Sequence, residues 1–548
     1  MIYQPIFMRS TFRSILAGFL MLWLFVAGRS ALSTYSIVDF GAKGDGKTLN
    51  TTAINKAIQT CHEQGGGTVL IPAGTFVSGT VILRSNVNFH LEAGAILMAS
   101  RDTADYQPMS STLFHEGYNR YGLIYAHNAR NVFITGYGEI NGQGSTFMNQ
   151  PYQPKTTSRD FDRRFTRQGV NFLKEGSTVE DGPATYKYRP GLLMTLSHCE
   201  NVQIQDIVCR DSPEWTIRIA DCDGVQVRGI TIENNLIVPN SDGIHCTTSR
   251  NVTIADSRIS AGDDAIIVSG FGQDGSNTTQ EKLLGNQTGI AENVTVTNCV
   301  LSSRSACIRI GYGEHPIRNV VCSNLVMYAS NRGIGIFARN NSQIEHILFS
   351  TITIQNRLHD GHWWGKGEPI HISAVRDAAQ GKAGQISDIR FTDITATSET
   401  GILIQGSPES VITNVSLDRI KLTINKGKHT LNFGGNFDLR PAYPLSQALF
   451  SHDIPGLYAQ HVSNLALNSF QLDWGTGLPN FFTDGVAIDH FKNVRIINSS
   501  VRPVTTDPKR YDIRATNGQG LAVINSTGAS GLPRVAKQTL NQYSQTQE

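Results

Sequence analysis

Short segments in which apolar and polar residues alternate recur along most of the chain. The repeated phrase is an Asn followed by an apolar–any–apolar triplet, as at residues 131–134, 201–204 and 251–254. Such alternation predicts a short strand with one buried face. Gly, Asn, Asp and Ser between the segments predict turns. Helical periodicity is nearly absent, and residues 51–63 form the best helix candidate.

The spacing of the repeat indicates how the strands are arranged. Copies of the phrase start at residues 201 and 251, and a close variant that begins with Gly starts at residue 224, so successive starts are 23 and 27 residues apart. Strands repeating every 20–30 residues predict stacked coils, whereas a propeller blade needs roughly 40–50 residues. A β-sandwich is the other alternative. We predict an all-β, single-stranded parallel β-helix, in which Asn side chains at one coil position stack into a ladder.

An elongated core also fits the chain length of 548 residues, because one compact core rarely exceeds roughly 250–300 residues. We predict one solenoid domain over residues 34–537 and a disordered, Gln-rich tail at 538–548. Polar, irregular stretches near residues 101–128, 145–188 and 357–369 are predicted to be loops that extend from the solenoid.

The N-terminus has the pattern of a signal peptide. Arg9 and Arg13 precede an unbroken apolar run at residues 15–27, which is too short for an ordinary membrane span. We therefore predict that residues 1–33 are a signal peptide, with an N-terminal membrane anchor as the alternative. The mature protein is then expected to be secreted or periplasmic and to make no membrane contact.

Composition excludes two classes of protein. The net charge is +2 and no long basic run occurs, so a nucleic-acid partner is not expected. Hydrophobic residues make up 40% of the chain, which excludes a disordered protein. Cys199, Cys222 and Cys246 recur at coil-like spacing, so we predict stacked interior thiols instead of disulfides.

The densest candidate chemistry lies at residues 239–269. Asp242 belongs to Asn-Ser-Asp-Gly, and Asp263 and Asp264 belong to Gly-Asp-Asp about one coil later. Neighbouring coils would crowd these three carboxylates, and mutual repulsion would raise one pKa. A protonated acid beside ionised partners is what glycosidic cleavage requires. Turn-forming Asp residues and a calcium site are the alternatives.

These residues resemble motifs of glycoside hydrolase family 28, the polygalacturonase-like inverting hydrolases. The Asp242 segment is similar to the family's Asn-Thr-Asp motif, and Gly262–Asp264 matches Gly/Gln-Asp-Asp. The resemblance covers roughly residues 35–500 and implies a right-handed parallel β-helix. We expect no metal and no cofactor. It implies that Asp263 is the general acid, whereas Asp242 and Asp264 hold and deprotonate the attacking water.

Two family motifs are missing. Residues 305–307 are Ser-Ala-Cys where the family has Gly-His-Gly, and residues 335–337 are Gly-Ile-Phe where it has Arg-Ile-Lys. In the family these cations hold the galacturonate carboxylate, so plain polygalacturonate is not the expected substrate. Strand alternation suggests substitute substrate contacts that point outward, and adjacent Trp side chains in a loop could stack on sugar rings or pin the loop. The candidates are Arg309, His245, His371, Trp363 and Trp364.

The sequence predicts an exported hydrolase that cleaves a pectin-like plant or algal polysaccharide or oligosaccharide. We expect a monomer. A β-helix polysaccharide lyase or epimerase remains an alternative, although such enzymes need a strong base and often Ca²⁺. A non-catalytic glycan-binding β-helix is the third possibility, but it has no need for crowded acids.

Overall fold

The computed structural model describes most of the chain outside the N-terminal segment and several loops. The described residues are 1, 33–108, 121–152, 167–168, 183–271, 289–339, 341–359, 363–376, 379, 381–437, 442–444, 449 and 451–546. Most of the predicted signal peptide at 1–33 and parts of the three predicted loops lie outside these residues.

Strands are the main elements of the described chain. The N-terminal strands are β1 Thr34–Ser36, β2 Asp45–Leu49, β3 Gly67–Ile71, β4 Gly74–Ser78, β5 Val81–Ile82, β6 Val87–Leu91, β7 Ala95–Ala99, β8 Ile124–His127, β9 Arg130–Gly136 and β10 Glu139–Asn141. The central strands are β11 Met194–Ser197, β12 Glu200–Gln205, β13 Val208–Arg210, β14 Ile217–Ala220, β15 Asp223–Arg228, β16 Thr231–Glu233, β17 Ile244–Thr247, β18 Arg250–Ala255, β19 Arg258–Ala261, β20 Ile266–Gly270, β21 Ala291–Thr297 and β22 Val300–Ser303. The C-terminal strands are β23 Ala306–Gly313, β24 Ile317–Ser330, β25 Arg332–Phe337, β26 Gln343–Asn356, β27 Ile370–Ser373, β28 Gln385–Ser398, β29 Ile402–Gln405, β30 Ile412–Ile424, β31 Leu457–Asn468, β32 Gln471–Trp474, β33 Val486–Ile497, β34 Ile513–Ile524 and β35 Val535–Thr546.

The strands pair in parallel, each with the equivalent strand one coil before and after it. This arrangement confirms the predicted all-β, right-handed parallel β-helix. One row of strands carries the candidate chemistry and is called ladder 1. It runs in the order β5, β8, β11, β14, β17, β20, β23, β25, β27, β29, β31, β33, β34 and β35.

Two α-helices occur in the described residues, α1 at Thr51–Glu63 and the single turn α2 at Thr430–Phe433. The first confirms the predicted helix. Its buried side chains recur at positions 54, 57, 58 and 61, which is the one-sided spacing of an amphipathic helix. Helix α1 packs on the N-terminal strands β1, β3, β5 and β6 and so contacts the first coils of the core.

The recurring Asn residues form the predicted ladder at a corner of the coil. Each adopts the left-handed conformation, for example Asn251 at φ 54° and Asn293 at φ 57°, which Asn tolerates better than most residues. The Asn293 amide donates to Asn251 at 3.1 Å, and Asn319 donates to Asn293 at 3.2 Å. This asparagine ladder has a second C-terminal run, in which Asn493 donates to Asn464 at 3.2 Å.

The structure corrects the predicted disordered tail at 538–548. Residues 535–546 form β35, which pairs in parallel with β34 along its whole length. The polar composition suggested disorder, but a terminal strand can be held by backbone hydrogen bonds to the exposed edge of the preceding coil. Strand β8 also begins inside the predicted loop at 101–128.

All eight cysteines are free and buried, which confirms the prediction of interior thiols. Their recurrence was partly misassigned. The amide of Cys199 lies 3.4 Å from Cys222 Sγ, so these two share a coil position, but the next residue there is Ser249. Cys246 instead pairs in register with Ile219 and Val268. Coils of unequal length therefore produce similar sequence spacings at different positions.

Candidate active site

The three aspartates lie in turns that precede two adjacent strands of ladder 1. Asp242 precedes β17, and Asp263 and Asp264 precede β20, with Ile244 paired to Ile266. The two turns stack because the Gly243 amide donates to the Asp264 carbonyl at 2.9 Å. Successive coils are about 4.8 Å apart. The structure thus brings the three carboxylates together as one group, called here the aspartate cluster.

The aspartate cluster is largely shielded from water. The exposed fractions of Asp242, Asp263 and Asp264 are 3%, 7% and 3%. Asp264 has a cationic partner, since the Arg309 guanidinium on β23 forms an ion pair with its Oδ2. The Ala306 amide donates to Asp264 Oδ1 at 2.9 Å. Both contacts favour the ionised form of Asp264.

Asp242 has the opposite environment. Burial raises its pKa well above the ordinary value, and the charges of Asp263 and Asp264 raise it further, whereas Arg309 opposes the rise. Its Oδ1 atom has no hydrogen-bond partner among the described residues. The cluster therefore retains a proton at pH values where a solvated Asp has lost it, and strongly interacting carboxyls share that proton.

Arg309 occupies the position that strand alternation predicted. Its neighbours Ile308 and Ile310 are fully buried in the core, and the Arg309 side chain lies on the outer face beside Asp264. The guanidinium carbon is 4.9 Å from the centre of the Tyr312 ring. Arg309 therefore lies next to the aspartate cluster, one coil beyond Asp264.

The two histidines share the outer face with Arg309 but are covered. His245 is fully buried, its ring centre 3.9 Å from that of Trp215 and its Nε2 3.1 Å from Ser269 Oγ. Burial, Arg309 and Arg218 lower its pKa well below the ordinary value, so it is neutral. His371 is also buried, with its ring 5.0 Å from Phe337. Aromatic rings contact both histidines, and their expected contact with substrate stays a prediction.

The two tryptophans have different environments. Trp363 is buried at 5% exposure. Its expected stacking on a sugar ring stays a prediction. Trp364 is partly exposed, and its carbonyl accepts a hydrogen bond from Asn331 at 3.1 Å. Trp364 therefore remains a candidate for stacking on a sugar ring.

Sequence reasoning missed a buried ion pair farther along ladder 1. Arg332 on β25 and Glu368 before β27 are both fully buried, with Arg332 Nε 3.7 Å from Glu368 Oε2. The Lys366 amide donates to the same carboxylate oxygen at 2.6 Å. Arg332 is in register with Ala306, whose amide binds Asp264. The Gly-rich sequence around Arg332 and Glu368 contains no pattern that predicts this ion pair, because Arg332 and Glu368 lie on different coils.

A second buried pair supports the turn that carries Asp242. Arg189 and Glu214 form an ion pair that is almost completely excluded from water. Arg189 Nη1 also donates to the carbonyls of Pro213 at 3.0 Å and Pro239 at 2.7 Å. Arg189 thus connects the segment before β14 to the segment before β17. The segment before β17 contains the Asp242 motif noted in the sequence, but only the fold shows its contact with Arg189.

Within the described residues, no group of three or more His, Cys, Asp or Glu side chains is arranged to hold a metal ion. No helix in the described part of the chain is long and apolar enough to cross a membrane.

Comparison with known proteins gives a consistent result. The model described as "Glycosyl hydrolases family 28" matches residues 61–434. A "Probable polygalacturonase" from Vitis vinifera is 29% identical over 42% of this chain and 43% of its own length. An "Exo-poly-alpha-D-galacturonosidase" from Dickeya chrysanthemi is 28% identical over 57% of this chain and 58% of its own. The matches thus span about half the length of these two relatives.

A solved structure shares the fold. The family 28 exopolygalacturonase of Yersinia enterocolitica superposes with a TM-score of 0.56 over 94% of this chain and 78% of its own, at 19% identity. Identity this low supports only the shared β-helix architecture.

Proposed function

The chain belongs to glycosyl hydrolase family 28, and from this premise we propose that it hydrolyses O-glycosidic bonds in a pectin-like plant or algal polysaccharide or oligosaccharide with inversion. The observation that carries the proposal is the aspartate cluster. Three buried carboxylates from two stacked turns supply both a retained proton and an ionised base, which an inverting hydrolase needs.

Each member of the cluster has a proposed role. Asp263 protonates the departing glycosidic oxygen, and Asp242 and Asp264 hold and deprotonate the attacking water. Arg309 supports the base role because its charge keeps Asp264 ionised. Burial favours the proton on Asp242 in the structure, so we propose that the proton is shared within the cluster and reaches the leaving group from Asp263.

We propose that the substrate is related to, but different from, plain polygalacturonate. The two relatives described above are named for galacturonan cleavage. This chain has Ser305, Ala306 and Cys307 in place of the family's Gly-His-Gly, and Gly335 and Phe337 in place of its Arg and Lys. The proposed substrate contacts are Arg309, His245, His371, Trp363 and Trp364. They lie on ladder 1 or on the loop before β27.

We further propose that the protein is exported through the signal peptide at residues 1–33, acts outside the cytoplasm as a monomer, and needs no metal or cofactor. The Arg9–Arg13 flank and the apolar run at 15–27 support export. Extracellular polysaccharide is the partner that this location would provide.

The decisive experiment replaces the proposed acid. Asp263→Asn should reduce reducing-sugar release by about 10²–10⁴-fold, the usual contribution of general acid–base catalysis, with little change in thermal unfolding. The matched control is Asp223→Asn, which alters an exposed carboxylate on β15. Retention of most activity by Asp263→Asn would show that the acid is assigned wrongly. Proton NMR of the first product tests inversion of the anomeric centre.

The same assay separates the alternatives. Activity that survives a chelator, without an unsaturated product absorbing in the ultraviolet, identifies a hydrolase. An unsaturated product would instead identify a lyase. Absence of turnover on pectic, other plant and algal glycans, combined with measurable binding, would favour a non-catalytic β-helix.

A further inference from the structure

A polar concavity lies on ladder 1, far from the aspartate cluster. It encloses about 690 Å³, within the range of roughly 300–1,000 Å³ typical of ligand sites. Its floor includes Tyr458, Ala487 and Arg514, which are in register on β31, β33 and β34. Strand β31 is five coils beyond β20, which corresponds to roughly 24 Å along the solenoid axis.

The shape of this cavity follows from the side chains along the register. Ala487 has a short side chain between two large ones, so Tyr458 and Arg514 border a gap of about two coil spacings, roughly 9.6 Å. The Tyr458 hydroxyl has no hydrogen-bond partner among the described residues. The Tyr458 hydroxyl and the Arg514 guanidinium at its borders are groups that can bind hydroxyl groups of a ligand.

The polar groups around the gap are held in place. Arg514 Nε donates to Asp484 Oδ2 at 2.6 Å, and the Asp484 side chain is buried at 6% exposure. Asp489 Oδ1 accepts hydrogen bonds from Thr516 at 2.7 Å and Asn517 at 2.9 Å. A binding site whose donors and acceptors are already ordered loses little entropy when it takes up a ligand.

The charges in the cavity indicate the class of ligand. Three arginines and three aspartates line it, so neither sign dominates. Arginine donors beside carboxylate acceptors complement the many hydroxyl groups of a sugar.

We propose that this cavity is a second glycan-binding site, which holds one or two sugar units of a polysaccharide away from the point of cleavage. The inference rests on the proposed function, because both sites lie on the outer face of ladder 1 and would bind the same chain. A polymer bound at the distal cavity would have a raised local concentration at the aspartate cluster.

The test measures binding without turnover. In the Asp263→Asn background, Ala487→Leu fills the gap, and Ala522→Leu on β34 is the matched control because it adds the same group outside the cavity lining. The probes are de-esterified pectate and a neutral galactan, and binding is measured as the retardation of each protein variant in gels that contain one of these polymers. Ala487→Leu should weaken binding of at least one polymer about fivefold or more, whereas Ala522→Leu should bind like the parent.

Each outcome decides the proposal. Weakening for pectate alone identifies a uronate-binding cavity, and weakening for galactan alone identifies a neutral-sugar cavity. Equal binding by Ala487→Leu and Ala522→Leu would overturn the second site. Absence of binding of either polymer by the Asp263→Asn parent would also overturn it. In the active background, the ratio of turnover on polymer to turnover on a trisaccharide should also fall for Ala487→Leu. Failure of the proposed function would appear separately, as absence of turnover by the wild-type protein on every glycan tested.

Discussion

The asparagine ladder and the aspartate cluster are both stacks of polar side chains on successive coils, but their energetic consequences are opposite. In the ladder, each neutral amide donates to the next, as Asn293 does to Asn251. In the cluster, carboxylates accept hydrogen bonds but cannot donate unless protonated. Arg309 compensates one of them, and burial raises the cost of the others. The same backbone repeat therefore forms a stabilising ladder of amide hydrogen bonds at one position of the coil. At another position it forms an unfavourable cluster of like charges.

The largest expected effect comes from removing Arg309, which forms an ion pair with Asp264. Arg309→Met should reduce turnover by about 10²-fold or more, because the base loses the charge that keeps it ionised. Loss of that cation raises the carboxylate pKa values, so the acidic limb of the pH–rate profile should move to higher pH. Breaking a buried ion pair should also cost about 3–5 kcal/mol in the free energy of unfolding. Denaturant titration and pH–rate measurements check both effects.

The matched control is Arg228→Met, which removes an exposed ion pair with Asp256. Exposed pairs contribute about 0–1 kcal/mol, and no effect on turnover is expected. Arg309→Lys should partly restore the wild-type pH profile. Equal effects of the Arg309→Met and Arg228→Met variants would contradict the central role of Arg309.

The next prediction concerns the sign of the pH dependence. Because the pKa of Asp242 is raised in the folded state, the folded protein holds a proton that the unfolded chain releases as pH rises above the ordinary value. The contribution of Asp242 to stability is thus present at acidic pH and lost as pH rises through the raised pKa. Asp242→Asn should unfold at higher denaturant concentration than wild type near neutral pH, although turnover is lost.

An opposite-sign control is Asp256→Asn. A hydrogen bond from Asn298, and then one from Arg228, lowers the pKa of Asp256. Its contribution to stability is present above the ordinary pKa and lost as pH falls through the lowered one. The Asp256→Asn variant should therefore lose stability near neutral pH relative to acid, whereas Asp242→Asn gains it. The same sign for both variants in urea titrations at several pH values would refute the comparison.

The smallest effect concerns the ladder itself. Asn293→Gly keeps a residue suited to φ 57° but removes the amide, so it should cost about 0.5–1.5 kcal/mol per lost hydrogen bond. Asn293→Ala should cost about 1–2 kcal/mol more, because a Cβ is unfavourable in the left-handed region. Turnover should stay at the wild-type value in both. A Gly variant as stable as wild type would show that the ladder contributes no net stability.

Much of the candidate site could be located from the sequence, but its electrostatics could not. One coil between Asp242 and Asp263 was enough to predict stacked turns, because coil length converts directly into position along the solenoid. The alternation around Arg309 likewise gave its outward direction. The pairing of Arg309 with Asp264 joins residues 45 positions apart in sequence, and no local pattern encodes such a choice of partner.

What the sequence determined by itself is the local periodic order: alternating strands, left-handed Asn corners, interior thiols and the coil spacing that stacks the aspartates. These follow from residue-by-residue preferences repeated every coil. The tertiary structure alone decided which outward side chains are covered, as Trp215 covers His245, and which buried charges pair, as Arg332 does with Glu368. It also ordered the polar tail into β35. Burial and pairing depend on neighbouring coils and loops, whose contacts are set only when the solenoid has formed.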